Sequence, residues 1–171
     1  MPGHVLDACF VEDLRTAALL ATSCMNLERP MVGGLAASLD TELAVRVADL
    51  IRYGVCVRHL SSAEVSLHAS VQAARPALSI ADAEALVIAQ TESAVLLTGD
   101  AALRKAAGES KIAVRGVIGE LKRLTPLIVD PPTALKALEN IIASGSRLPR
   151  RETELARQQW LSMVEKARGF D

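Results

Sequence analysis

Apolar residues recur along this chain in two periods, and the places where the period changes mark the elements. Residues 4–7, His4-Val5-Leu6-Asp7, read as a short first strand with Asp7 at its carboxyl end. From Val11 to about Ala21 the apolar positions return every three or four residues, the spacing of a helix. Residues 27–35 hold Pro30 and the pair Gly33-Gly34 and read as loop with a little strand. An amphipathic helix is expected over 41–53, stopped by Gly54. Residues 55–59 alternate like a strand. Ser61 or Ser62 can cap the next helix, which runs to about Ala74, where Arg75-Pro76 ends it.

The stretch that follows is the most informative. Ser79-Ile80-Ala81-Asp82 has the form of a capping box and opens an apolar helix to about Gln90. Residues 95–98 then read as a buried strand, with Gly99-Asp100 directly after it. A helix over 101–107, a strand over 112–115 and a helix over 117–124 complete this part. Beyond Asp130-Pro131-Pro132 two helices remain, at about 133–143 and 152–167. Strands alternating with helices predict an α/β fold, an open and mostly parallel sheet with helices on both faces. Residues 1–129 form the main unit on this reading, and 130–171 a C-terminal helical hairpin packed on the same domain. No internal repeat or low-complexity tract divides the chain.

Composition sharpens this picture. A chain of 171 residues is long enough for one sizeable core, and with 2% aromatic residues that core must be built from Ala, Val, Leu and Ile. Cys9, Cys24 and Cys56 lack the spacing of a zinc site or a disulfide framework and read as small core residues. No apolar run reaches the ~18–20 residues of a membrane helix, and Asp7 interrupts the first apolar stretch, so a cytoplasmic location and no membrane partner are expected. Residues 1–100 carry 6 basic and 12 acidic side chains, whereas 101–171 carry 13 basic and 8 acidic. An acidic half can hold metal ions while a basic half steers a phosphate backbone, and two unlike solvated surfaces give the same counts.

Candidate chemistry gathers on carboxylates. In open α/β sheets ligands collect outside the carboxyl ends of the strands, where both Asp7 and Asp100 fall. Asp82, in the first turn of the helix leading to the Asp100 strand, can bring a third acid to the same edge. Such carboxylates repel one another unless a cation neutralises them, and hard oxygen donors suit Mg²⁺ or Mn²⁺ rather than zinc. Each acid also has a purely structural use: Asp7 and Asp100 can cap the helices that follow them, and Asp82 completes its own capping box.

Three segments also carry a family resemblance: Val5-Leu6-Asp7-Ala8-Cys9, Leu78-Ser79-Ile80-Ala81-Asp82-Ala83-Glu84-Ala85-Leu86, and Leu96-Leu97-Thr98-Gly99-Asp100-Ala101-Ala102-Leu103-Arg104. In this order, with the trailing Val114-Arg115-Gly116-Val117-Ile118-Gly119-Glu120-Leu121, the chain resembles PIN domains over residues 4 to about 124. It is similar to VapC-type toxin ribonucleases and their uncharacterised relatives. The resemblance implies a three-layer PIN-like fold, a homodimer, and metal-dependent hydrolysis of RNA. If the chain is a toxin, it also implies a small antitoxin protein that blocks the site. Asp7, Asp82 and Asp100 would be metal ligands. A fourth acid is expected near the start of the helix between the first two motifs, where Glu42 is the first choice and Asp40 the second, Glu64 lying too close to Asp82. Thr98, on the Asp100 strand, could hydrogen-bond a carboxylate or a metal-bound water and is a candidate substrate-binding residue, as is Arg104, which with Arg147, Arg150 and Arg151 is a candidate for phosphate contact. Glu84 is expected to face solvent or Arg and Lys neighbours, with an outer-shell role beside Asp82 as the alternative.

Other classes fit less well. Phosphotransferases with a strand-end Asp nucleophile place a second Asp two positions on, where this chain has Cys9. No Gly-rich phosphate loop occurs. His4, His59 and His68 have no ligand spacing, and the few aromatics form no stacking cluster in sequence. The alternative that stands is a non-catalytic PIN-like metal- or RNA-binding protein with a degenerate acidic site.

Overall fold

The computed structural model describes residues 2–39, 43 and 46–168, without the side chains of Leu39 and Arg168. Its centre is a five-stranded, all-parallel sheet in the order β3-β2-β1-β4-β5. The strands are β1 (His4–Leu6), β2 (Pro30–Gly33), β3 (Cys56–Arg58), β4 (Val95–Leu97) and β5 (Val114–Arg115). Between and after them run α1 (Ala8–Thr16), α2 (Leu20–Met25), α3 (Gly34–Leu39), α4 (Val47–Arg52), α5 (Ser62–Ala74), α6 (Ile80–Thr91), α7 (Ala101–Glu109), α8 (Val117–Leu124), α9 (Pro131–Ala143) and α10 (Arg150–Arg168). The expected α/β architecture with helices on both faces is what the chain adopts.

Strand pleating explains the two layers. Successive side chains point to opposite faces, so neighbours in sequence enter different cores. Leu6, Val32 and Leu97 pack on one face with Phe10 and Leu14 of α1, Leu121 of α8, Leu138 of α9 and Trp160 of α10. Val5, Met31 and Leu96 pack on the other with Leu86 and Ile88 of α6, Leu103 of α7 and Val71 of α5. The central strands are therefore apolar on both faces, as parallel strands covered by helices must be. The hairpin of α9 and α10 shares the first of these cores, since Ala134, Leu138, Ile141, Ala156 and Trp160 all lie in it.

Several boundaries differ from the sequence reading. The helix expected from Val11 begins at Ala8, because Asp7 caps it, and breaks at Ala18, which takes a left-handed φ of 58° before α2 starts. The loop around Pro30 contains a full central strand. Of the helix expected over 41–53, α4 is described, ending at Arg52 with Tyr53 as its C-cap, ahead of Gly54, whose φ of +88° lets the chain turn into β3. Of the cysteines, Cys24 is buried, whereas Cys9 and Cys56 are exposed and so correct the reading of all three as core residues.

The strand order has one consequence for function. The chain runs outward from β1 through β2 to β3, then crosses back to lay β4 on the other side of β1. The direction of winding thus reverses between β1 and β4, and a crevice opens at their carboxyl ends.

Candidate active site

Asp7 is the first residue past β1. Its backbone N–H donates to the Leu97 carbonyl at 3.0 Å, carrying the β1–β4 pairing one step further. An extended backbone there, φ −87° and ψ 154°, lets Asp7 Oδ1 turn back and accept from the Ala8 N–H at 2.7 Å. Oδ2 accepts from Thr98 Oγ1 at 2.7 Å and from Cys9 Sγ at 2.9 Å. Burial raises the Asp7 carboxyl above the ordinary aspartate range. The Asp82 charge adds to the rise, and the bonds from Cys9, Thr98 and Ala8 only partly offset it. The Cys9 residue reaches the surface but its thiol is turned inward, and desolvation there, with Asp7 alongside, pushes it up to about 12, so at neutral pH it is a proton donor to Asp7 and not a thiolate.

Asp100 stands at the carboxyl end of β4 and caps α7, Oδ1 accepting from the Leu103 N–H at 2.7 Å. Its own N–H donates to Thr98 Oγ1 at 3.0 Å. One threonine hydroxyl therefore gives its proton to Asp7 and receives the Asp100 amide. Thr98 is fully buried, and of the roles expected of it the bond to a carboxylate is the one it makes, to Asp7. Arg104, one turn into α7, is half-buried and reaches back to the Thr98 carbonyl through Nη1 at 3.4 Å.

Asp82 comes from the first turn of α6. Its capping box is complete, with the Asp82 N–H donating to Ser79 Oγ at 3.1 Å and Oδ2 accepting from the Ser79 N–H at 2.8 Å. Its charge bears on Asp7 across the crevice. Asp7, Asp82 and Asp100 line one open cavity of about 530 Å³, together with Cys9, Asp13 and Arg46. Three carboxylates from three elements thus share one cup.

Two acids had roles that sequence reasoning missed. Asp13 lies on α1 one turn beyond Cys9, and its burial beside the cup raises its carboxyl, while a bond with the Ser146 side chain opposes the rise. The i, i+4 spacing from Cys9 was the available signal. Glu84 does not face solvent. It is buried, and its carboxylate accepts from the N–H groups of Leu35 at 2.9 Å and Ala36 at 3.0 Å, capping α3 from another element. Glu42 and Asp40, the candidates for the fourth acid, lie outside the described residues. Glu64 is engaged elsewhere, in a capping box with Ser61 and an ion pair with Arg58 at 2.7 Å.

A family model described as a PIN domain matches residues 40–162. The chain belongs to the PIN-domain family. The match includes Asp82, Asp100 and most of the C-terminal hairpin, while Asp7 and β1 precede it. No curated protein and no solved structure gives a match. PIN domains are a nuclease-type fold, so this is at the coarse level the fold of a hydrolase, of a family that typically uses divalent metals and RNA. Among the described residues, no helix is long and apolar enough to cross a membrane.

Whether the PIN cup suits a divalent cation depends on its donors. They are carboxylate oxygens, the hard ligands that Mg²⁺ and Mn²⁺ prefer. Asp82 Oδ1 and Asp100 Oδ2 accept no hydrogen bond from the described residues, so each acid keeps an oxygen to spare. The buried Asp7 carboxylate has Asp82 as a like-charged neighbour and no ion pair among the described residues. In kind the donors fit a hard cation. Among the described residues, however, no three His, Cys, Asp or Glu side chains stand together as a closed ligand set.

Proposed function

We propose that this PIN-domain protein is a metal-dependent endoribonuclease that hydrolyses RNA phosphodiester bonds at the cup of Asp7, Asp82 and Asp100. The observation that carries the reading is the convergence of these three carboxylates on one cavity at the crevice between β1 and β4. Asp7, Asp82 and Asp100 would hold Mg²⁺ or Mn²⁺, with Glu42 as the fourth acid of the catalytic set. The bound ion would polarise the scissile phosphate and lower the pKa of a water for in-line attack. The chain's own residues do the rest. Thr98 and Cys9 keep Asp7 Oδ2 aimed by donating to it. The Thr98 hydroxyl also fixes the turn that presents Asp100, which would orient the attacking water. Arg104 supplies positive charge at the rim for the RNA backbone, a contact that weakens with salt.

The remaining parts of the reading rest on the resemblance: a cytoplasmic homodimer, acting as the toxin of a toxin–antitoxin pair, with a small antitoxin that covers the acidic cup. Residues 1–129 would carry the chemistry, and 130–171 would extend the same domain.

The deciding experiment is cleavage of a mixed RNA pool by purified protein with Mn²⁺ or Mg²⁺, beside an EDTA control and an Asp7→Asn, Asp100→Asn double variant. Metal-dependent cleavage that disappears in the variant supports the nuclease. Equal cleavage by both proteins sinks it, because a contaminant is then at work. A second reading is separated from the first by the same experiment. A non-catalytic PIN-like protein would bind metal or RNA without cutting, and metal binding with no cleavage identifies it.

A further inference from the structure

Beside the acidic cup lies a second cavity of about 520 Å³. It shares Cys9, Asp13, Asp100 and Ser146 with the cup, so the two are neighbours across the Asp100 side chain. Their chemistries differ. The cup is walled mainly by carboxylates, whereas the second cavity has an apolar side of Val117, Ile118 and Leu148 and sets Arg104 and Arg147 against the carboxylates of Asp13, Asp100 and Glu152. Its volume falls in the range of small-molecule sites, and an apolar wall with a few fixed polar groups is how such sites hold a flat, partly polar ligand.

Two features of the wall at Arg104 and Gly116 favour an anion there, away from the carboxylates. Arg104 has no carboxylate partner among the described residues, and its one bond is to a backbone carbonyl. The guanidinium lies over Gly116, where a Cβ would come within 2.9 Å of Nη1. Gly116 is also the N-cap of α8 and offers no side-chain cap to the first N–H groups of this eight-residue helix, which have no side-chain acceptor among the described residues. A half-buried guanidinium and an uncapped helix start on one wall are a seat for a phosphate.

We propose that this second cavity seats one nucleotide of the RNA next to the bond that is cut, its phosphate against Arg104 and the start of α8, its base against Val117, Ile118 and Leu148. The proposal rests on the nuclease reading for the word "cut", and on the cavity alone for the nucleotide. It makes the 144–149 loop a specificity element, because Ser146 borders both cavities and Leu148 forms a wall of the second. The apolar wall would make base identity count through shape and contact, the means left to a chain with few aromatic side chains.

Binding can be separated from cleavage. In EDTA, titration of the full chain with each of the four ribonucleoside 5′-monophosphates, with the corresponding nucleosides and with inorganic phosphate, followed by calorimetry and amide NMR shifts, reads the cavity without the metal. Monophosphates should bind at least tenfold more tightly than either phosphate or nucleoside, with shifts at Gly116–Ile118 and Leu148. Arg104→Met should weaken them about tenfold, and Leu148→Trp, at a half-buried position on the 144–149 loop, should abolish binding, with an unchanged Tm and circular dichroism spectrum showing that the fold is kept. Asp82→Asn, which touches only the cup, should leave nucleotide affinity within twofold. Leu148→Trp should also shift the base preference beside the cut in RNA sequencing of the products. If monophosphates bind no better than inorganic phosphate, or if Arg104→Met and Leu148→Trp leave both affinity and cut-site preference unchanged, the proposal is overturned. Nucleotide binding at these residues by a protein that cuts no RNA would instead overturn the nuclease reading and leave the nucleotide seat standing.

Discussion

Thr98 Oγ1 donates to Asp7 Oδ2 at 2.7 Å, across 91 residues of sequence and between the ends of the two central strands. The same oxygen accepts the Asp100 amide, so a single buried hydroxyl fixes the spacing of two acids in the cup. Thr98→Val keeps the volume but removes both bonds, leaving a buried carboxylate short of a donor and an amide short of an acceptor. Each unsatisfied group costs about 1–3 kcal/mol. Cleavage should fall roughly 10- to 100-fold by the cost of misplacing a catalytic group, and Thr98→Ser should restore most of it. Rate measurements on the three proteins check this, and a Thr98→Val enzyme as fast as Thr98→Ser would show that the hydroxyl does not set the cup.

Metal binding should register on stability as well as on activity. A ligand that binds the folded state alone raises its stability with concentration, and here it would also relieve the repulsion between Asp7 and Asp82. Mn²⁺ added to EDTA-stripped protein should therefore raise Tm by a few degrees, the usual yield of about 1 kcal/mol in a chain this long. The gain should shrink in Asp82→Asn or Asp100→Asn and vanish in the double variant. An equal rise in all of them would place the bound metal away from the cup.

Sequence reasoning reached the three aspartates because each is tied to a local signal. Asp7 and Asp100 end apolar runs, and Asp82 completes a capping box with Ser79. Glu84 and Asp13 were out of its reach. The partners of Glu84 are N–H groups 48 and 49 residues earlier, and nothing near Glu84 in sequence announces them. The burial of Asp13 depends on where the 144–149 loop returns. β2 was half-seen for a related reason, since Pro30 and Gly33 are turn residues by rule. Here Pro30 opens the strand, and Gly33 is needed for its neighbour.

That neighbour is Glu84. A Cβ built on Gly33 would lie 2.0 Å from Glu84 Oε2, so the glycine is what allows the carboxylate to reach the start of α3. Gly33→Ala should displace Glu84 and strand the amides of Leu35 and Ala36, at about 2–4 kcal/mol by the usual cost of buried polar groups left unpaired. Glu84→Ala should cost about as much, and the double variant little more than either single one, because both break the same contact. Urea unfolding of the three proteins measures this, and additive losses would show that the two residues act apart.

Glu64 carries a pH dependence with a definite sign. The Ser61 N–H and hydroxyl, with Thr91 and Arg58 beside them, hold its carboxyl at about 2, well below the ordinary glutamate value. A carboxyl lowered in the fold binds protons more weakly than in the unfolded chain. Its contribution is therefore complete above the unfolded value near 4.5 and drains away as the pH falls toward 2. Glu64→Gln keeps an acceptor for the Ser61 N–H but loses the charge facing Arg58. The Tm gap between wild type and Glu64→Gln should be widest above pH 5 and close steadily below pH 4. A gap that stays constant down to pH 2 would mean that packing of the side chain, and not its ionisation, is what α5 requires.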